Sequence, residues 1–184
     1  NLGQAAKEVQ YMARTRKATV FLTPTSTVFL VRGATRRTAT VRMDLPGSAP
    51  LDGWDAGGAA PAGIVDSYVG SADRWKTSIP AYSEVKRRDV FPEIDLVFHG
   101  NSDRELEFDF RVHPGGDPSS IRLRFAGASS LAILPSGDLR IATAEGDLIQ
   151  HRPVATQPGS RRKIAASFRL LGSNEVGFSV GKFD

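Results

Sequence analysis

Residues 89–118 read DVFPEIDLVFHGNSDRELEFDFRVHPGGDP. Within them Ile94, Leu96 and Phe98 alternate with Asp95, Val97 and His99. Beyond the turn Gly100-Asn101-Ser102-Asp103, Leu106, Phe108, Phe110 and Val112 alternate with Glu105, Glu107, Asp109 and Arg111. Side chains along a strand point to opposite faces in turn, so two alternating runs joined by a short polar turn specify a β-hairpin with one apolar and one charged face. The same stretch concentrates chemistry: Asp95, Asp103, Glu105, Glu107, Asp109 and Asp117 surround His99 and His113. The hairpin thus decides the fold class and poses the functional question, whether these groups form a metal site, a glycosidase pair or a scaffold.

Working outward, strands dominate. Val20 to Leu22 and Val28 to Val31 are β-rich runs separated by Thr-Pro-Thr-Ser-Thr, and Thr38 to Met43 continues the pattern. Residues 44–63, dense in Gly, Pro and Ala, follow no period of 2 or 3.6 and read as a long surface loop. DRWKTSIPAYSEV (73–85) reads as an irregular crossing locked by Trp75, Ile79 and Tyr82. After the hairpin, PGGDPSSI holds two turn glycines and places Asp117 to cap a single helical turn begun by Pro118. Ile121, Leu123 and Phe125 alternate with Arg122 and Arg124. Gly-Asp-Leu recurs at 137–139 and 146–148, the spacing of meander strands, and Ile164 to Leu171 and Val176 to Phe183 supply two more. Only Gln4 to Arg14 suits a longer helix. The expected class is all-β, with antiparallel sheets packed as in a β-sandwich, long loops and little helix. The chain is expected to form one module over 1–184, with a division into two β subdomains near 44–63 as the alternative.

A chain of 184 residues, 40% hydrophobic and 24% charged, can bury a core without cross-links, and having no cysteine it carries neither disulfide nor thiolate chemistry. No apolar run approaches the ~20 residues of a spanning helix, so no membrane insertion of this domain is expected. Net charge is +7 over residues 1–43, −7 over 44–120 and +4 over 121–184. Without a recognition helix or interleaved exposed aromatics, this pattern reads as basic strands facing an acidic middle rather than as a nucleic-acid surface.

The candidate chemistry divides as follows. Glu105, Glu107 and Asp109 share one strand face at steps of roughly 7 Å, a separation compatible with a glycosidase pair. They lie opposite the aromatic face, however, where Arg122 and Arg124 of a neighbouring strand offer ion pairing. Asp95, Asn101 and Asp103 straddle the hairpin turn without the ligand spacing of a calcium loop, leaving only a single calcium at the 100–103 turn to consider. His99, His113 and His151 come from separate turns, so no shared metal is expected. No nucleophile elbow, zinc-protease helix, P-loop or dinucleotide fingerprint occurs, so no catalytic residue is nominated and no cofactor is called for. Trp54, Trp75 and Tyr82 are the candidate ligand-binding residues. A sugar platform needs a solvent-facing ring beside polar partners, whereas a structural ring is covered.

The ordered blocks NLGQ (1–4), FLTP (21–24), SYVGSADRWKTSIPAYSEVKRRDVFPEIDLVFHGN (67–101), LEFDFRVHPGGDPSSIRLRFAGA (106–128), GDLRIATAEGDLIQHRPVATQ (137–157) and VGFSVGKFD (176–184) resemble the uncharacterised domain that precedes SBBP-type β-propeller repeats in large secreted bacterial proteins. That family commonly has tyrosine where Phe91, Phe98, His99 and Phe108 stand here, and glycine where Glu93 stands. The resemblance implies a non-catalytic structural or adhesive module, extracellular or at the cell surface. Its partners would be the adjacent repeats of the same chain and surface glycans or extracellular proteins. A carbohydrate-binding module built on the aromatic candidates, and a hydrolase using the acidic row, are the competing readings.

Overall fold

The alternating segments become strands almost wherever they occur. The computed structural model describes residues 1–35, 37–50, 53–56, 61–101, 105–159 and 163–183. The strands of the first half are β1 (Tyr11–Arg14), β2 (Ala18–Leu22), β3 (Thr27–Arg32), β4 (Thr38–Asp44), β5 (Gly63–Ser67), β6 (Lys76–Ala81), β7 (Glu84–Phe91) and β8 (Ile94–Gly100). There follow β9 (Leu106–Val112), β10 (Arg122–Ala126), β11 (Ser130–Ile133), β12 (Leu139–Thr143), β13 (Gly146–Gln150), β14 (Ala155–Thr156), β15 (Lys163–Ile164), β16 (Ala166–Leu170) and β17 (Glu175–Val180). Strand accounts for 53% and helix for 4% of the described residues, which makes the fold all-β as the alternation implies. The helical pieces are single 3₁₀ turns at Ala72–Arg74 and Pro118–Ser120, and Asp117 caps the second by accepting the Ser119 amide at 2.8 Å.

Two expectations are corrected. Gln4 to Arg14 forms no helix: Tyr11–Arg14 adds to β2 as an edge strand, because Tyr11 and Ala13 lie opposite Leu22 and Val20 and extend the apolar face there. The segment 73–85 is not an irregular crossing, since most of it lies in β6 and the start of β7, with β6 joined to β5 through a bulge.

Seven antiparallel strands form the main sheet in the order β1-β2-β3-β4-β10-β17-β16. The sheets β7-β8-β9 and β11-β12-β13 and the pairs β5-β6 and β14-β15 complete the architecture. One buried cluster joins the sheets, taking Val20, Leu22, Val41, Met43, Leu123 and Val176 from the main sheet, Ile94, Leu96 and Phe98 from β8, and Leu139 and Ile141 from β12. A run of rings bridges β8 to β16: Phe98–Phe108, Phe108–Phe110, Phe110–Phe178 and Phe178–Phe168 stand 5.4, 6.1, 5.8 and 5.4 Å apart. Leu106, Phe108 and Phe110 therefore do face the core, partly buried on the edge strand, while β8 at the sheet centre is nearly fully covered.

The β7–β8 connection shows how local chemistry fixes the register. Phe91 pairs with Ile94, leaving Pro92-Glu93 as a two-residue turn. Proline presets the first position, and the second requires positive φ, which Glu93 adopts at 58°. Glu93 thus takes the left-handed conformation usual for glycine. Just before it, Arg88, Asp89 and Val90 bulge opposite Asp95, which lets the consecutive residues Val90 and Phe91 both enter the core. Asp95 Oδ1 holds the bulge by accepting the Asp89 amide at 2.9 Å, at a residue whose φ is 47°. The His113 amide donates to the Glu93 carbonyl at 2.8 Å, and a Cβ at Gly116 would stand 2.8 Å from that oxygen. His-Pro-Gly-Gly thus folds against the turn where only glycine fits.

Candidate functional site

The three aromatic candidates fall in two places. Trp54 and Tyr82 line an open cleft of about 480 Å³ with Tyr11, Ile79 and Pro80, whereas Trp75 belongs to the β5–β6 hairpin. Trp54 is 8% exposed. Its indole Nε1 donates to the Thr23 carbonyl at 2.9 Å, its amide donates to Gln10 Oε1 at 3.0 Å, and its ring packs edge-on against Phe98 at 5.4 Å. Over its face, 4.3 Å from the centroid, lies the guanidinium of Arg87. In the β7–β8 register Arg87 stands opposite Leu96, on the core side of the sheet, and it is 3% exposed. It donates to the carbonyls of Thr23 at 2.9 Å, Pro24 at 2.8 Å and Gly53 at 3.3 Å. Burial pulls this guanidinium down to about 10, so it stays protonated at neutral pH. The knot of Arg87, Trp54 and three carbonyls fastens Gly53-Trp54 and the β2–β3 turn to β7.

Tyr82 lies 5.9 Å from Tyr11, edge to face. Burial raises the Tyr11 hydroxyl above its ordinary range, with Tyr82 and Asp55 adding to the effect.

On the β5–β6 hairpin, Trp75 is 47% exposed and stands perpendicular to Tyr68 at 5.3 Å, with Tyr68 60% exposed. Asp66 organises this tip: its carboxylate accepts the Ser78 amide at 2.9 Å, where φ is 57°, and the Tyr68 hydroxyl at 3.1 Å, which pushes that hydroxyl's pKa up. Ile64, Val65 and Val69 are also solvent-exposed.

The acidic row occupies the outer face of β7-β8-β9. Asp109 meets His99 Nε2 at 2.8 Å, Glu107 accepts Asn101 Nδ2 at 2.7 Å, and Glu84 takes both terminal nitrogens of Arg111. Asp95 meets His113 at 3.1 Å; burial alone would raise this carboxyl, but the Asp89 amide and His113 together hold it below the usual range. His151 faces Asp138 at 3.6 Å. Each histidine thus has a different aspartate. Of the suggested calcium ligands, Asp103 lies outside the described residues, while Asn101 donates to Glu107 and Asp95 meets His113.

One charge expectation is overturned. Arg122 and Arg124 do not meet the acidic row. They converge on Glu175 at 3.7 and 3.2 Å, because β10 is inserted between β4 and β17 and not beside β9. Of the basic N-terminal strands, Arg42 meets Asp44, the first carboxylate of the acidic middle, while the acidic row lies on the outward side of the other sheet.

Tyr11, Gln10, Tyr68 and Arg87 were not picked out in the sequence. The signal for Arg87 was its i, i+2 relation to Val85 on the apolar side of a strand, legible only once β7 is recognised as one.

No helix among the described residues is long and apolar enough to cross a membrane. Neither the curated proteins nor the solved structures offer a match to the chain. One family model matches residues 1–184 from end to end, and the chain belongs to that family, the domain of unknown function DUF7948.

Proposed function

We propose that the chain is a non-catalytic structural or adhesive module of a secreted or cell-surface bacterial protein, preceding β-propeller-type repeats. The secreted, repeat-associated setting rests on the resemblance of the sequence blocks, and one observation carries the non-catalytic part: side chains with chemical capacity are committed to holding the fold. Trp54 is clamped under Arg87, Asp95 pins the β7 bulge, and Asp109, Glu107 and Glu84 are each engaged by a neighbour on a solvent-facing sheet surface. Charge pairs in that setting stabilise by about 1 kcal/mol or less and do not create the desolvated acid that hydrolysis requires. An antiserum raised against the chain tests the reading. It should label intact cells or culture fluid and detect a polypeptide larger than 19.8 kDa. A chain-sized protein detectable only after lysis contradicts it.

A second reading, a carbohydrate-binding module, is favoured by the half-exposed Trp75 beside Tyr68 and the Asp66 carboxylate. If it holds, Trp75→Ala abolishes binding to neutral glycans while leaving the unfolding transition in place. Unchanged glycan binding removes Trp75 from the site.

A further inference from the structure

Antiparallel register places directly opposed residues on the same face. Applied across the main sheet, it puts Arg14, Arg32, Arg42, Arg122, Arg124 and Arg169 on the face turned away from the core, all of them exposed. Only two carboxylates, Asp44 and Glu175, share that face, and no lysine does, so six guanidiniums stand against two acids. Four of the arginines lie together on the neighbouring strands β4, β10 and β16, with β17 between the last two. The outer face of β7-β8-β9 has the opposite balance, Glu84, Asp95, Glu107 and Asp109 against Lys86 and Arg111.

We propose that this arginine face is the adhesive surface of the module, and that its partner is an extended acidic polysaccharide carrying carboxylate or sulfate groups. The proposal rests on the structural or adhesive reading above and deepens it. Guanidinium is planar and presents a fork of donors matched to such anions, which a lysine ammonium does not. Glu175, seated between Arg122 and Arg124, shows a carboxylate drawn to this face: it accepts a hydrogen bond from Arg124 at 3.2 Å and lies 3.7 Å from Arg122. Exposed hydroxyls of Thr38, Thr40, Ser167 and Ser179 flank the arginines on the same face and suit sugar hydroxyls. Nucleic acid is disfavoured because the one ring that the described strands carry on this face is the half-buried Phe21, too little for a row of stacked bases. A second copy is disfavoured because the carboxylates of its acidic face are already engaged by His99, Asn101, His113 and Arg111.

The test measures binding of the whole chain to polygalacturonate, with neutral dextran, oligo-dT and phosphatidylglycerol vesicles as comparisons, at low and physiological ionic strength. The parent should bind the polyuronate with salt-dependent affinity and ignore dextran. The triple change Arg122→Ser, Arg124→Ser, Arg169→Ser should weaken binding roughly tenfold or more. The three corresponding Arg→Lys changes, which keep charge and fold, should give an intermediate loss, and Lys86→Ser on the opposite sheet should have no effect. Parent-like binding by both triple variants overturns the proposal, as does an equal loss in Lys86→Ser. Tighter binding to oligo-dT or vesicles overturns the partner class, and self-association at low salt that the triple Ser variant abolishes assigns the face to a second copy. Failure here leaves the cell-surface labelling result standing, so the two readings fail separately.

Discussion

Replacing Arg87 probes the knot that ties three segments together, and its cost follows from the geometry. In Arg87→Met the apolar stem remains but the guanidinium is lost, and with it the bonds to the Thr23 and Pro24 carbonyls, the longer one to Gly53 and the contact over Trp54. Hydrogen bonds from a charged donor contribute about 1.5–3 kcal/mol each, and a desolvated cation–π contact contributes about 2 kcal/mol. Against this stands the relief of burying a charge, on the order of 3 kcal/mol for a guanidinium drawn from 12.5 to about 10. The net loss is about 3.5–8 kcal/mol, most of a typical domain's stability. Arg87→Lys should be no better, because an ammonium keeps the desolvation cost but cannot span three carbonyls. Denaturant unfolding followed by tryptophan emission in a Trp75→Phe background isolates Trp54, whose emission should move to the red in both variants. If either variant lies within about 0.5 kcal/mol of the parent, with Trp54 still emitting as a buried indole, the reasoning is wrong.

At the β7–β8 turn, Glu93→Gly removes left-handed strain of about 1–2 kcal/mol but adds unfolded-state freedom of about 0.4–1 kcal/mol. Thermal unfolding should therefore show an unchanged or slightly higher Tm, and a clear drop would mean the Glu93 side chain does something the turn geometry does not show. Asp95→Asn should destabilise the protein by about 1–2 kcal/mol near neutral pH by loosening the bulge. Because the folded pKa of Asp95 is depressed, its contribution is present above the ordinary aspartate value of about 3.9 and is lost as pH falls through the lower folded value. The gap between parent and variant should therefore narrow below that pH, and a gap that widens on acidification contradicts the assignment.

Much of the fold was legible because strand alternation is a local signal. The two faces of β8 and β9, the β12–β13 meander and the Asp117 cap all follow from residues within a few positions of each other. What was not legible depends on partners distant in sequence. The insertion of β10 between β4 and β17 decides that Arg122 and Arg124 meet Glu175 and not the acidic row, and no local pattern announces it. Tyr11–Arg14 has an apolar spacing that suits a short helix as well as a strand, and pairing with β2 settles the matter. Of the aromatic candidates, Trp54 and Trp75 are indistinguishable by composition. Arg87 arriving from β7 covers one, while the other stands on a hairpin whose Ile64, Val65 and Val69 are themselves exposed.

The central claim is that the acidic hairpin is architecture, and the unfolding free energies of Phe108→Ala and Glu107→Gln, measured side by side, test it most directly. Phe108 packs on Phe98 and Phe110 but is only partly buried, so its truncation should cost about 2–3 kcal/mol, below the 3–5 of a fully buried ring. Glu107 accepts one hydrogen bond from Asn101, which glutamine can also accept, so the second change should cost about 1 kcal/mol or less. A Phe108→Ala protein as stable as the parent, or a Glu107→Gln protein that folds normally but loses an activity of the parent, contradicts the account.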